Sequence, residues 1–312
     1  MKSEGLYVTI KVRKIRCDAR RKGCDTVAEK DITEKILESY NDVFSDIVNA
    51  LLFHGEPVIA PDDLEDQAPC SYYKADGKIR ELERDVVKRW KKGNIRLACI
   101  GMENQTNADA DMPLRVIGYD GAEYRAQLSG AERYPVVTLI LYFGIKKRWT
   151  APLSLKERLE IPEAFAPYVN DYKINLFEIA YLSREEVGLF RSDFRIVADY
   201  FVQMRENNDY KPTPDEVTHM QEILQLLNVM TGEHRFADEC NNQTKGVPKS
   251  MSDFWDRVEN KAREEGREEG ALNNKKETAV NLHNLGVTDD IIAKSMNIST
   301  ELLREWIERP SA

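Results

Sequence analysis

Asp85, Glu103 and Gln105 lie in the run RELERDVVKRWKKGNIRLACIGMENQ, residues 80–105, and their side chains are of the types that hold a hard cation. The run divides into two strand-like stretches, Arg84 to Trp90 and Ile95 to Met102, joined by Lys91-Lys92-Gly93-Asn94, which predicts an antiparallel hairpin. Such a hairpin brings the start of its first strand beside the end of its second, so Asp85 and Glu103 become neighbours at one sheet edge. Two carboxylates and a carboxamide there suit a Mg2+-dependent phosphodiesterase, because a hard cation selects oxygen ligands and offsets phosphate charge. The same residues also fit the solvated end of an ordinary hairpin, and spacing does not separate the two readings. The basic residues Lys88, Arg89, Lys91 and Lys92 are equally open between phosphate contact and a solvated turn that protects a strand edge.

These residues need a scaffold, and the surrounding pattern supplies one. From Asp31 onward Ile36, Leu37, Val43, Phe44, Ile47, Val48, Leu51 and Leu52 recur at helical spacing, ended by Gly55 and Pro57. After the hairpin, Met112-Pro113 opens a second helix with Leu114, Ile117, Tyr124 and Leu128 on its apolar face. Arg115 near its start could grip a phosphate or clamp a carboxylate. Val136 to Phe143 is a continuous apolar run of strand length, as expected of a central strand covered on both faces, and Tyr172 to Ile179 is a further strand. The order helix, hairpin, helix, strand, strand gives an α/β fold, a mixed sheet flanked by helices. Residues 184–230 then turn helical, with Pro212 and Pro214 separating two helices of a buttress.

The chain has 312 residues with a 42% hydrophobic share, room for one main domain and a smaller appendage. Its net charge of −9 argues against broad, passive attraction to nucleic acid but leaves room for a locally basic groove. No apolar run approaches the length of a membrane span, and Lys11, Arg13, Lys14 and Arg16 interrupt the N-terminal apolar residues, so a cytoplasmic protein is expected. Cys17, Cys24, Cys70, Cys99 and Cys240 are scattered as reduced thiols would be, with Cys99 a small core residue. His54, His219, His234 and His283 form no close ligand pair.

Five segments are expected: a basic N-terminal extension over 1–29, a core over 30–183, a helical buttress over 184–240, a linker and charged helix over 241–270, and a three-helix tail over 271–312. The repeat KAREEGREEG stacks like charges four residues apart and includes Gly266 and Gly270, which predicts a helix of marginal stability. The tail sequence VTDDIIAKSMNISTELLREWI resembles helix-turn-helix units, but Glu301, Glu305 and Glu308 on its last helix disfavour DNA, so a packing or protein-contact module is preferred.

The run IGMENQTNADADMPLRVIGYDGAEYRAQL, with NDVFSDIVNALLF before it and RYPVVTLILYFG after it, resembles the recombination-promoting nuclease (Rpn) family, also labelled putative transposases. That family lies in the PD-(D/E)XK nuclease superfamily, and the resemblance covers most of residues 30–240. It implies a restriction-endonuclease-like fold over that span, to which the helical pattern of the tail adds a C-terminal all-helical appendage. It maps the Asp that opens the second core strand onto Asp85, and the (Asp/Glu)-x-Lys triplet of the third onto Glu103 and Gln105. Gln105 departs from the usual Lys, which puts the catalytic rate in doubt more than the fold. An acidic residue on the first core helix often assists metal binding in the superfamily, and Asp46 is the candidate here. The resemblance thus implies a Mg2+-dependent DNA endonuclease of low sequence specificity that promotes recombination or transposition, with Asp85 and Glu103 on the metal. Two alternatives stay open: a catalytically degenerate nuclease fold with a binding or regulatory role, and a DNA-binding regulator using the C-terminal helices. A homo-oligomer formed through those helices is a further expectation.

Overall fold

The structure, a computed structural model, describes residues 36–67, 70–75, 78–93, 95–233, 235–236 and 246–308. The expected N-terminal extension, with Cys17 and Cys24, lies outside the described residues, as do Cys240 and His234. The chain divides into two compact units, with the boundary between Lys249 and Ser250.

In the first unit the opening helix is shorter than its apolar stripe suggests. Tyr40 is extended (φ −76°, ψ 134°) and separates a 3-10 turn, Leu37–Ser39, from helix α1, Asn41–Phe53. The stripe survives the break, since Leu37, Val43, Phe44, Ile47 and Val48 are all fully buried. The break changes which polar side chain of this segment meets the sheet.

Strands β1 (Leu64–Asp66), β4 (Val86–Lys92), β5 (Ile95–Gln105), β6 (Val136–Tyr142) and β7 (Asn175–Glu178) form one sheet in the order β1-β4-β5-β6-β7. Strands β2 (Cys70–Ala75) and β3 (Lys78–Glu83) make a separate antiparallel ladder. The expected hairpin is β4-β5: Val86 lies opposite Met102 and Val87 opposite Gly101, so the same register carried one residue back sets Asp85 opposite Glu103. β5 runs three residues beyond the predicted end, to Gln105, because its far edge pairs with β6 in parallel from Cys99 opposite Val136 to Gln105 opposite Tyr142. Parallel neighbours need a crossover, and helix α2, Met112–Ala126, supplies it. Leu139, Ile140 and Leu141 of β6 are fully buried, as a central strand covered on both faces requires. The last strand is shorter than the predicted Tyr172 to Ile179 at both ends: Tyr172 to Ile174 bond instead with Leu153 to Leu155, and Ile179–Tyr181 already turns as a 3-10 helix.

Polar contacts pin α2 to the sheet beneath it. Thr138 Oγ1 on β6 donates to Asp120 Oδ1 at 2.6 Å and accepts from Arg84 Nη1 at 3.1 Å. Arg84 lies across Gly101, where a Cβ would sit 2.6 Å from Nη1, so the glycine makes the room this arginine occupies. Short helices α3 (Leu155–Arg158) and α4 (Arg184–Val187) precede α5 (Phe194–Asn207) and α6 (Met220–Thr231). These last two are the expected buttress pair, with Phe194, Val197, Ile223, Leu224 and Leu227 fully buried.

The second unit contains α7 (Met251–Asn284), α8 (Asp289–Met296) and α9 (Thr300–Glu308). Residues 261–270 are solvent-exposed yet continuous with the rest of α7, so no break falls at the expected boundary near residue 270. Ion pairs spaced i,i+4, Arg257 with Asp253 and Arg263 with Glu259, add modest support. Ala279, Ile292, Leu303 and Trp306 form a small core, and the Ile298 amide donates to the Ala293 carbonyl at 3.0 Å. Glu301, Glu305 and Glu308 are exposed.

Candidate active site

The β4-β5 register decides the site. Asp85 stands just before β4, and its Oδ2 accepts the Asn104 backbone N–H at 2.7 Å. This bond ties the carboxylate to the edge of β5 one residue from Glu103. Side chains alternate along a strand, so Glu103 and Asn104 leave β5 on opposite faces. On one face Glu103 meets α2, where Arg115 Nη2 bonds Glu103 Oε1 and Arg115 Nη1 reaches Asp109 Oδ2 at 3.1 Å. On the other face Asn104 Nδ2 donates to Glu38 Oε1 at 3.0 Å. Asp85, at the edge, acts electrostatically on both glutamates.

The two glutamates are in unusual states for carboxylates. Glu103 is 4% exposed, and burial followed by the nearby Asp85 charge raises its pKa well above the ordinary range, although Arg115 and Gln105 pull it down. Glu38 is fully buried, and its pKa rises from 4.5 to about 7, first through desolvation and then through Asp85, against hydrogen bonds from its own backbone and Asn104. Glu103 Oε2 and Glu38 Oε2 are both buried and accept no hydrogen bond. Carboxylate oxygens left in this way carry a desolvation penalty that a cation would relieve.

Gln105 Nε2 donates to Glu103 Oε1 at 3.1 Å. Gln105 and Arg115 thus both hold Oε1, and Oε2 is the oxygen Glu103 has left to offer. Around Arg115, burial opposes its charge while Glu103, Tyr119 and Asp109 favour it, and the net effect raises its pKa. Of the two roles the sequence left open for Arg115, the structure shows the carboxylate clamp.

Asp46 is not brought to this group. Its Oδ2 accepts the backbone N–H groups of Arg191 and Ser192 at 2.8 and 2.7 Å, anchoring the turn before α5. Asp42, the other acid on that helix, is exposed and lies 3.2 Å from His219 Nε2. The acid that this segment does send to the sheet is Glu38. The extended Tyr40 resets the phase between residue 38 and the helix, and no periodicity could show that. The only signal was a Glu within an apolar stretch, ILESY, where burial demands a reason.

The hairpin charges also resolve. Lys88 is fully buried and donates to Ser39 O at 2.8 Å and Asn41 Oδ1 at 2.7 Å, besides pairing with Asp66. Phosphate contact is therefore closed to it, and its work is to hold the turn that carries Glu38. Lys91 pairs with Glu65 on the neighbouring strand, while Lys92 is exposed. Cys99 is buried, with burial pushing its thiol up to about 12, which suits an inert core residue. Among the described residues, no set of three or more His, Cys, Asp or Glu is close enough to form a ready-made metal cluster. What exists instead is the Asp85–Glu103 pair with Glu38 behind it. No helix among the described residues is long and apolar enough to cross a membrane.

A family model described as putative transposase, YhgA-like, matches residues 85–230, a span that opens on Asp85 and includes Glu103, Gln105 and the buttress helices. No curated protein and no solved structure matches the chain. Residues 85–230, a little under half of the chain, are thus similar to the YhgA-like family of putative transposases.

Proposed function

We propose that this protein is a divalent-cation-dependent DNA endonuclease of low sequence specificity, built on a PD-(D/E)XK-type fold and serving recombination or transposition. The observation that carries the reading is the buried Glu103 Oε2, which has no hydrogen-bond donor, on a carboxylate set opposite Asp85 by the hairpin register. A site made of carboxylate and carboxamide oxygens suits Mg2+, and Asp85 and Glu103 would hold it. The chemistry the cation supplies when bound is acidification of a water and charge relief at the scissile phosphate. Arg115 and Gln105 fix the Glu103 rotamer by occupying Oε1. With its amide nitrogen given to Glu103, Gln105 keeps its carbonyl oxygen to accept a hydrogen bond from the attacking water. It carries no charge, so turnover is slow compared with a lysine at this position. Glu38, linked through Asn104, stands behind the pair as a further acid, and a cation at the site would favour its charged form.

The test is nicking of supercoiled plasmid by the purified full chain. Relaxed circles should form with Mg2+, and not with EDTA or with Glu103→Gln. Nicking that survives Glu103→Gln would remove the site from the reaction.

One observation favours a second reading, a nuclease fold retained for binding or regulation: Arg115 already supplies a positive charge to Glu103. Arg115 bonds only Oε1, however, and Oε2 stays buried without a hydrogen bond. Calorimetric titration with Mn2+ separates the two, since the regulatory reading expects no saturable binding that Asp85→Asn removes.

A further inference from the structure

We propose that the cleft beside the end of β6 receives an unstacked nucleotide of a single DNA strand, whose phosphates sit on Lys146 and Lys147. The inference rests on reading this sheet end as a DNA-cleaving site, and adds how the strand is held there. Gln105 and Tyr142 are register partners, and the Phe143 amide donates to the Gln105 carbonyl at 2.8 Å. The segments after these residues, Thr106 to Ala108 and Phe143 to Arg148, therefore leave the sheet side by side and wall a cleft of about 460 Å³. That is within the ordinary size of small-ligand sites. Phe143 and Phe201, with ring centroids 5.0 Å apart, and Met204 and Met230 contribute apolar lining. Lys146 and Lys147 stand exposed on its wall.

The charges in this lining are not equivalent. Arg148 is committed to Glu178, at 2.8 Å, and lies 4.5 Å from the Tyr181 ring centroid. Glu233, an acid in the lining, is neutralised by Arg235. Lys146 and Lys147 enter no ion pair or side-chain hydrogen bond among the described residues. The loop that carries them is preshaped: the Tyr142 hydroxyl donates to the Lys147 carbonyl at 3.0 Å, and its ring packs edge-on against Trp149. Any side chain at Gly144 would collide with that tyrosine. In a chain of net charge −9, two unpaired lysines on a fixed loop next to Gln105 are a local exception, complementary to a phosphate backbone. A partly apolar cleft beside them favours a base face. In a duplex that face is stacked away, whereas a single strand offers it freely.

The experiment measures fluorescence anisotropy of a labelled oligothymidylate, and of a duplex of equal length, with the full chain in EDTA across a range of salt. Wild type should bind the single strand more tightly than the duplex. In the doubly substituted Lys146→Ala, Lys147→Ala protein, affinity should fall at least tenfold at low salt. The slope of log K against log salt should shrink by about 1.4, from about 0.7 per phosphate contact on a single strand. Absence of DNA binding, a duplex preference, or an unchanged slope in the double variant would each overturn the assignment. Because EDTA blocks cleavage, the two ideas fail separately. Binding as expected by a protein that never nicks DNA removes the nuclease reading alone, and Mg2+-dependent nicking with an unchanged slope removes the cleft alone.

Discussion

Replacing Glu38 by Gln tests whether the acid behind the strand pair is held against its own preference. The carboxyl is fully buried and its pKa rises from 4.5 to about 7. The folded state therefore binds a proton that the unfolded chain releases between those values, and the contribution of Glu38 to wild-type stability falls as pH climbs from 4.5 through 7. At about 1.36 kcal/mol per pH unit, the loss from this one group amounts to about 3 kcal/mol above pH 7. Glutamine keeps an acceptor for the Asn104 amide, so Glu38→Gln should escape the loss without breaking that contact. Urea unfolding in EDTA is the assay. At about pH 5 the two midpoints should nearly coincide. At about pH 8 the variant should be more stable by up to 3 kcal/mol, which is about 1 M urea for an m-value of about 3 kcal/mol/M. Mg2+ should recover part of this stability in wild type and less in the variant, because a ligand stabilises the state that binds it. A variant less stable than wild type at pH 8, or a midpoint difference that ignores pH, would show Glu38 to be an ordinary hydrogen-bonded core residue.

Asp85→Asn retains an acceptor for the Asn104 amide and removes a charge that acts on both glutamates, so it should abolish nicking while leaving the EDTA melting temperature level or higher; a fall of several degrees would mark Asp85 as structural. Gln105→Ala should slow single-turnover cleavage of a labelled duplex about ten- to a hundred-fold, as lost orienting groups do, and Gln105→Lys should match or exceed wild type. Equal rates for wild type and Gln105→Ala would leave Gln105 without a mechanistic role. Lys88→Met strips the donor from the Ser39 carbonyl and Asn41 and should destabilise the fold by about 2 to 4 kcal/mol in chemical denaturation. A neutral effect there would mean that the Glu38 turn holds its place unaided.

That Asp85 and the end of β5 meet at one sheet edge was legible from sequence, because an antiparallel hairpin brings the start of one strand beside the end of the other, but the register that sets Asp85 opposite Glu103 was not, because the ladder shifts between Trp90 and Lys91. The central strand β6 was legible too, as an unbroken apolar run has nowhere to go but the middle of a covered sheet. Tertiary structure alone decided the rest. Asp46 and Glu38 are both acids on the opening segment, and a uniform helical phase points to the wrong one because the extended Tyr40 shifts it. Lys88 reads as a surface charge, but it takes the sheet face covered by the opening segment, where the Ser39 carbonyl and Asn41 await a donor. The charged repeat in α7 looks weak by local pairing, yet it lies inside one helix from Met251 to Asn284, whose far end packs Ala279 into a small core. Local sequence sets pairings that are close along the chain. Long-range packing decides which faces are covered, and through that which carboxylates are buried together.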